Sequence, residues 1–173
     1  MKKIGFFGGC FNPPTNMHIK IAKDLIEKGK LDKVVFVPVN NYYKKENLAE
    51  AKHRYNMLCL ATKNYPNLEV DDILIKEDRK LFAVNAFEVI SNSNFEKKNI
   101  FLVMGSDNYN KMPTWKDYNK IKNKYNYIVI ERDKDEISST QIRNMIKNND
   151  KNVVNYLPIE VYNYIVENNL YEL

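Results

Sequence analysis

The sequence predicts an α/β fold: a single-domain, doubly wound parallel sheet of about five strands with helices on both faces. Three observations carry that prediction. Short, near-continuous apolar runs alternate along the chain with segments of helical apolar spacing, the pattern of strands buried on both faces of a parallel sheet. The connections are short, and right-handed crossovers leave a Rossmann-like winding as the economical arrangement. Glycine turns follow two of the strand ends, where such sheets bind their ligands. The 173 residues fit one domain, 1–173, with a sizeable core and no internal repeat or low-complexity linker.

Each element has its own signal. Ile4 to Phe7 reads as a buried first strand, and the run from Ile19 to Ile26 has helical spacing. Lys33 to Val37 is a second strand, ended by Pro38. Leu48 to Lys63 is helical through Ala51, Tyr55, Leu58 and Ala61, and Leu68 to Asp71 is a short third strand after Tyr65-Pro66-Asn67. Val84 to Ser91 reads as a helix, Ile100 to Met104 as a fourth strand and Tyr127 to Ile130 as a fifth, with Trp115 to Lys122 helical between them. Two helices close the chain, at about Thr140 to Lys147 and Glu160 to Asn168.

Composition narrows the function classes. A hydrophobic content of 44% with 28% charged residues is that of a soluble globular protein, and no apolar run approaches the roughly 20 residues of a membrane span. Met1-Lys2-Lys3 followed by a five-residue strand is too short for a secretory leader. The two cysteines, Cys10 and Cys59, have no metal-ligand or redox spacing, so a reduced, cytoplasmic setting is expected. The net charge of +5 is spread between asparagines and acidic residues without a basic block. It suits an anionic small-molecule substrate, and no nucleic-acid-reading motif accompanies it.

The chemistry concentrates in two stretches. Gly8-Gly9-Cys10-Phe11-Asn12-Pro13-Pro14-Thr15-Asn16-Met17-His18 follows the first strand and opens a helix. Adjacent glycines let backbone approach a ligand, and a helix start offers free N–H groups to an anion. His18 adds a donor that can be charged near neutral pH. The stretch lacks the Gly-x-Gly-x-x-Gly spacing of a dinucleotide site and the lysine of a P-loop. No nucleophile–base pair accompanies His18, so electrostatic stabilisation of a phosphoryl transition state suits it better than covalent catalysis. In the second stretch, Ile137-Ser138-Ser139-Thr140-Gln141-Ile142-Arg143, Ser138 or Ser139 can cap the following helix, while Arg143 reaches back over its first turn. Hydroxyls, N–H groups and a guanidinium make a polyphosphate cradle. If the first and fourth strands are neighbours, the turn at Gly105-Ser106-Asp107 faces the same crevice as Gly8-Gly9.

These two stretches resemble the paired motifs of the nucleotidyltransferase superfamily, Gly-Gly-x-Phe-x-Pro-x-(His/Thr)-x-Gly-His and Ile-Ser-Ser-Thr-x-Ile-Arg. Within it the chain is similar to the bacterial nicotinate-mononucleotide adenylyltransferases. That likeness runs through Val37-Pro38, Arg54-Tyr55-Asn56-Met57-Leu58, Gly105-Ser106-Asp107 with Pro113-Thr114-Trp115, Leu157 to Val161, and Asn169-Leu170-Tyr171. The resemblance implies transfer of AMP from ATP to nicotinate mononucleotide by direct attack of the mononucleotide phosphate on the ATP α-phosphorus. It gives catalytic roles to His18, Thr15, Arg143 and Lys44. It places ATP against Gly8, Gly9, Cys10, Phe11, Met17, Ser138, Ser139, Thr140, Gly105 and Asp107, and the acceptor against Phe82, Ala83 and Trp115, with Trp115 stacked on the pyridine ring. Mg²⁺ is expected to be held mainly by ATP phosphates and water, with no protein metal site. Neither nucleic acid nor membrane is an expected partner, and a homo-oligomer is an allowed assembly.

The chain departs from the family pattern at three places. Met17 replaces the glycine of the first motif, Ala83 and Ala86 replace two hydroxyl residues of the acceptor pocket, and the stretch between Glu131 and Ile137 is short, so that a late strand and loop are expected to be missing. These changes leave open a different phosphorylated acceptor, such as nicotinamide mononucleotide, phosphopantetheine or a sugar phosphate, and also a non-catalytic nucleotide-binding module.

Overall fold

The structure is a computed structural model and describes residues 2–43, 45–92, 99–131 and 137–171. Its elements in chain order are β1 (Ile4–Gly9), α1 (Asn16–Glu27), β2 (Lys33–Pro38), α2 (Ala51–Thr62), β3 (Leu68–Val70), α3 (Ala83–Asn92), β4 (Ile100–Gly105), α4 (Ser106–Lys111), α5 (Tyr118–Ile121), β5 (Asn126–Ile130), α6 (Ser139–Lys147) and α7 (Ile159–Glu167). The five strands form one sheet in the order β3-β2-β1-β4-β5, and every pairing is parallel. The winding runs outward from β1 to β3, then crosses back to β4 and β5, so it reverses between β1 and β4. Phe7 lies opposite Val103 in that pair, and carrying the register two residues on sets Gly9 level with Gly105. The condition for a shared crevice at the carboxyl ends of β1 and β4 is met.

Strand alternation divides the core into two layers. Phe7, Val34, Phe36 and Val103 point to one face and pack with Ile19, Ala22 and Leu25 of α1, Met57 and Leu58 of α2, Ile142 of α6, and Val161 and Ile165 of α7. Phe6, Val35, Val37, Leu102 and Met104 point to the other, against Val84 and Ile90 of α3 and Ile121 of α5. Because helices cover both faces, each strand is apolar nearly throughout, which is what made the strands readable in the sequence. Among the described residues, no helix is long and apolar enough to cross a membrane.

Beyond shifts of one or two residues, three helix boundaries and one further helix depart from the sequence expectation, each for a local reason. The first helix begins at Asn16, three residues before the apolar spacing starts, because Thr15 caps it. The second begins at Ala51 instead of Leu48, because the Ala49 N–H is held by Asn12 Oδ1 at 3.0 Å and the Ala49 carbonyl by Arg54 Nε at 2.8 Å. Helix α4 was not foreseen: Ser-Asp-Asn-Tyr-Asn-Lys has no buried residue and so no apolar period to read. The expected helix over 115–122 shrinks to Tyr118–Ile121, since Trp115 is extended and Asp117 takes a left-handed φ of 60°.

Candidate active site

The site is built first at the start of α1. Thr15 is the N-cap and His18 the third helical residue, and the two form a reciprocal capping box. The His18 N–H donates to Thr15 Oγ1 at 3.4 Å, while the Thr15 N–H donates to His18 Nδ1 at 3.0 Å and Thr15 Oγ1 lies 2.8 Å from the same nitrogen. A backbone N–H can only donate, so Nδ1 is the acceptor and the proton of the neutral imidazole sits on Nε2. The cap therefore uses Nδ1 and leaves Nε2 as the ring nitrogen available to donate outward. The ring is further fixed by Phe11, edge-on at 5.2 Å, and Phe7 at 6.1 Å between centroids.

Phe11 is 3% exposed and holds a left-handed φ of 48°, which a bulky residue adopts only when its surroundings enforce it. Gly9 explains how its ring fits, because a Cβ there would lie 3.1 Å from the Phe11 ring. Gly8 differs: a Cβ there meets nothing within 4 Å, so its face is open. The glycine pair therefore has a packing half and an open half. The Cys10 thiol is half-buried, and burial pushes it up against the opposing pull of Lys45, Arg54 and Arg143.

The second stretch docks directly on the first. Ser138 caps α6 in another capping box, with its Oγ donating to Gln141 Oε1 at 2.8 Å. Ser139 Oγ donates to the Pro13 carbonyl at 3.0 Å, and Arg143 Nη1 to the Asn12 carbonyl at 2.9 Å. Arg143 Nη2 reaches back to Thr140 Oγ1 at 3.2 Å, as the spacing predicted, and its side chain is nearly buried at 8% exposure. The two serine hydroxyls are thus engaged within the protein.

Two residues that sequence reasoning did not assign a role frame the same loop. Arg54 of α2 is fully buried and donates to the carbonyls of Ala49 (2.8 Å), Cys10 (2.9 Å) and Val39 (2.7 Å), tying together the ends of β1 and β2. Desolvation draws its guanidinium down from the usual arginine value. Its signal was present in the sequence: with Ala51, Leu58 and Ala61 it falls on the buried stripe of α2. Asn12, 2% exposed, bonds to Asn47 and Ala49 and so fastens the 47–49 segment to the first loop. Nothing in the sequence distinguished it from its many fellow asparagines.

The acceptor candidates lie along the β4 side. Phe82 is 43% exposed, with Lys80 Nζ 5.3 Å and Lys116 Nζ 5.0 Å from its ring centroid. Ala83 opens α3 and Ala86 bonds through its N–H to the Phe82 carbonyl. Trp115 is half-buried and its ring packs 6.3 Å from that of Phe87. Gly105 caps α4 and Asp107 is exposed in its first turn. Met17, half-buried, is the second residue of α1. Lys44 lies outside the described residues. A separate groove of about 480 Å³ runs between α1, α2 and the start of α7, and none of the expected site residues lines it.

The starts of α1 and α6 are both capped, and His18 and Arg143 bond to the same loop, at the Thr15 N–H and the Asn12 carbonyl. Comparison with known proteins decides the family: the cytidylyltransferase-like family model matches residues 6–145, which span both stretches. The chain belongs to the cytidylyltransferase-like family. Among relatives of this family member, a protein of Flavobacterium psychrophilum named "Probable nicotinate-nucleotide adenylyltransferase" is 34% identical over 98% of the chain and 99% of its own length. One of the same name from Endomicrobium trichonymphae is 31% identical over 99% and 100%. The nicotinate-nucleotide adenylyltransferase of Bacillus subtilis is 27% identical over 99% and 100%. The nicotinic acid mononucleotide adenylyltransferase of Plasmodium falciparum, solved with NaAD, shares the fold with a TM-score of 0.76 at 18% identity, covering 99% of this chain and 98% of its own.

Proposed function

We propose that this protein, read as one domain over 1–173, transfers AMP from ATP to nicotinate mononucleotide, releasing pyrophosphate and forming deamido-NAD. The observation that carries this reading is the docking of α6 on the first loop, where Arg143 and Ser139 bond to the Asn12 and Pro13 carbonyls beside the Thr15–His18 cap. A phosphate binder needs one helix start; a transferase needs two groups holding opposite ends of a triphosphate. The full-length likeness to nicotinate-nucleotide adenylyltransferases supports the substrate assignment.

In this mechanism an oxygen of the mononucleotide phosphate attacks the ATP α-phosphorus in line. The bond from that phosphorus to the bridging oxygen breaks, and pyrophosphate leaves with the electron pair. Nε2–H of His18 donates to the triphosphate where charge builds in the transition state, and the cap with Thr15 keeps the ring from turning. Arg143 and the first N–H groups of α6 at Ser139 and Thr140 hold the leaving pyrophosphate. Gly8, with its open face, and Gly9, Cys10 and Phe11 form the backbone wall along the triphosphate. Gly105, Asp107 and Met17 border the nucleoside, Ser138 sets the α6 cap, and Lys44 serves as an additional cation for the phosphates.

Mg²⁺ enters as part of the substrate, held by phosphate oxygens and water. Phe82, Ala83 and Trp115 form the acceptor side. The ammonium groups of Lys80 and Lys116 beside Phe82 favour the nicotinate ring, whose carboxylate offsets the pyridinium charge, over the nicotinamide ring, which stays cationic, and this supports the acid over the amide. The cytoplasm is the setting we assign, where both substrates are available. Incubation of the purified protein with MgATP and nicotinate mononucleotide should give deamido-NAD and pyrophosphate in equal amounts by mass spectrometry. Absence of both products overturns the reading.

A further inference from the structure

The chain end returns to the transfer site. Beyond α7 the backbone turns through left-handed residues at Asn169 (φ 50°) and Tyr171 (φ 68°), with the Leu170 N–H donating to the Ile165 carbonyl at 3.0 Å. This turn carries the Tyr171 hydroxyl inward, where it donates to Asn12 Oδ1 at 2.8 Å across 159 positions of sequence. Asn12 Oδ1 accepts from Ala49 N–H as well, so both of its lone pairs are filled, one of them from the tail. The same residue presents its backbone carbonyl to Arg143 Nη1. Arg143 needs that hold: its Nε is buried with no hydrogen-bond partner among the described residues, and its remaining bond is to Thr140. Burial pushes the Tyr171 phenol up, outweighing the lowering pull of Arg143 and Arg54, so the hydroxyl stays a donor at working pH.

We propose that Tyr171 is a positioning residue for the polyphosphate grip: its hydroxyl fixes Asn12, and Asn12 fixes Arg143, so that the C-terminal tail clasps the transfer site. The proposal rests on the adenylyltransferase reading for its kinetic readout. Tyr171→Phe keeps the ring in the core and removes only the donor. With one hydrogen bond lost, the expected result is about a tenfold fall in kcat/KM for ATP, with KM for the acceptor unchanged and Tm lower by only a few degrees. In an Arg143→Lys background the same change should have no further effect, because coupled residues are not additive. Unchanged kcat/KM overturns the proposal, and so does an additive loss in the Arg143→Lys background. A loss that tracks a collapse in Tm or moves both substrate KM values alike also overturns it, since that marks a merely structural role.

Calorimetry with inorganic pyrophosphate separates this proposal from the reading beneath it. A wild type without turnover sinks the adenylyltransferase reading. The clasp is then judged by whether Tyr171→Phe weakens pyrophosphate binding about tenfold, and equal binding by the two proteins overturns it. A wild type that turns over but binds no pyrophosphate overturns the clasp alone.

Discussion

His18→Asn separates the two jobs the structure gives this side chain. The asparagine carbonyl can take the place of Nδ1 and accept the Thr15 N–H, which now lies 3.0 Å from the imidazole. Nothing in asparagine reaches the position of Nε2. The cap exchange costs about 1 kcal/mol or less, and loss of the ring contacts with Phe11 and Phe7 adds about 0.5–1.5 kcal/mol for each. At about 2–4 °C per kcal/mol for a chain of this size, Tm should fall by about 5–10 °C, leaving the variant folded at 25 °C. The rate should fall much further. A lost transition-state donor costs about 10²–10³ in kcat. Steady-state pyrophosphate release at saturating substrates, read together with a thermal melt, gives both numbers. A kcat within tenfold of wild type in the folded variant refutes the role given to Nε2. The complementary variant His18→Gln, whose amide N–H reaches toward Nε2 but leaves the cap open, should retain more activity and less stability than His18→Asn.

Two further predictions follow from buried groups. Arg54→Met orphans the carbonyls of Ala49, Cys10 and Val39 at once, at about 1–3 kcal/mol each before relief from removing a buried charge. A net loss of about 3–5 kcal/mol should lower Tm by at least about 6 °C, and an unchanged melt contradicts the account of Arg54. The Cys10 thiol is held above its ordinary value by burial, so at pH 8 less of it is thiolate than in an open chain. Alkylation by iodoacetamide, followed by peptide mapping to separate Cys10 from Cys59, should be much slower in the native protein than in urea. Equal rates would mean that the first loop is open where the structure closes it.

Much of the fold was legible because both sheet faces are covered. Ile4–Phe7, Val34–Val37 and Ile100–Met104 could be apolar nearly throughout and so stood out against the helices. Elements whose stability comes from contacts distant in sequence were not. Helix α4 buries nothing of its own, and the late start of α2 depends on a bond from Asn12, which is 37 residues away from Ala49. The site divides along the same line. The Ser138 cap of α6 and the reach of Arg143 back to Thr140 were readable because caps and helix spacing follow local rules. The framework that holds them was hidden for the opposite reason. Asn12 and Tyr171 bond to each other across the chain and Arg54 to the Cys10 carbonyl; the helical stripe marked Arg54 as buried, but no residue type marks these partners in a chain rich in asparagine, tyrosine and basic residues. The tautomer of His18 likewise appears only once Thr15 N–H is placed against Nδ1.

The sequence left the acceptor open at Ala83 and Ala86, so acceptor choice tests the central claim most directly. The decisive measurement is the ratio of kcat/KM for nicotinate mononucleotide to that for nicotinamide mononucleotide, with MgATP saturating. The account, with Lys80 and Lys116 flanking Phe82, predicts a ratio well above about 10, equivalent to at least about 1.4 kcal/mol of discrimination. A ratio at or below one contradicts it.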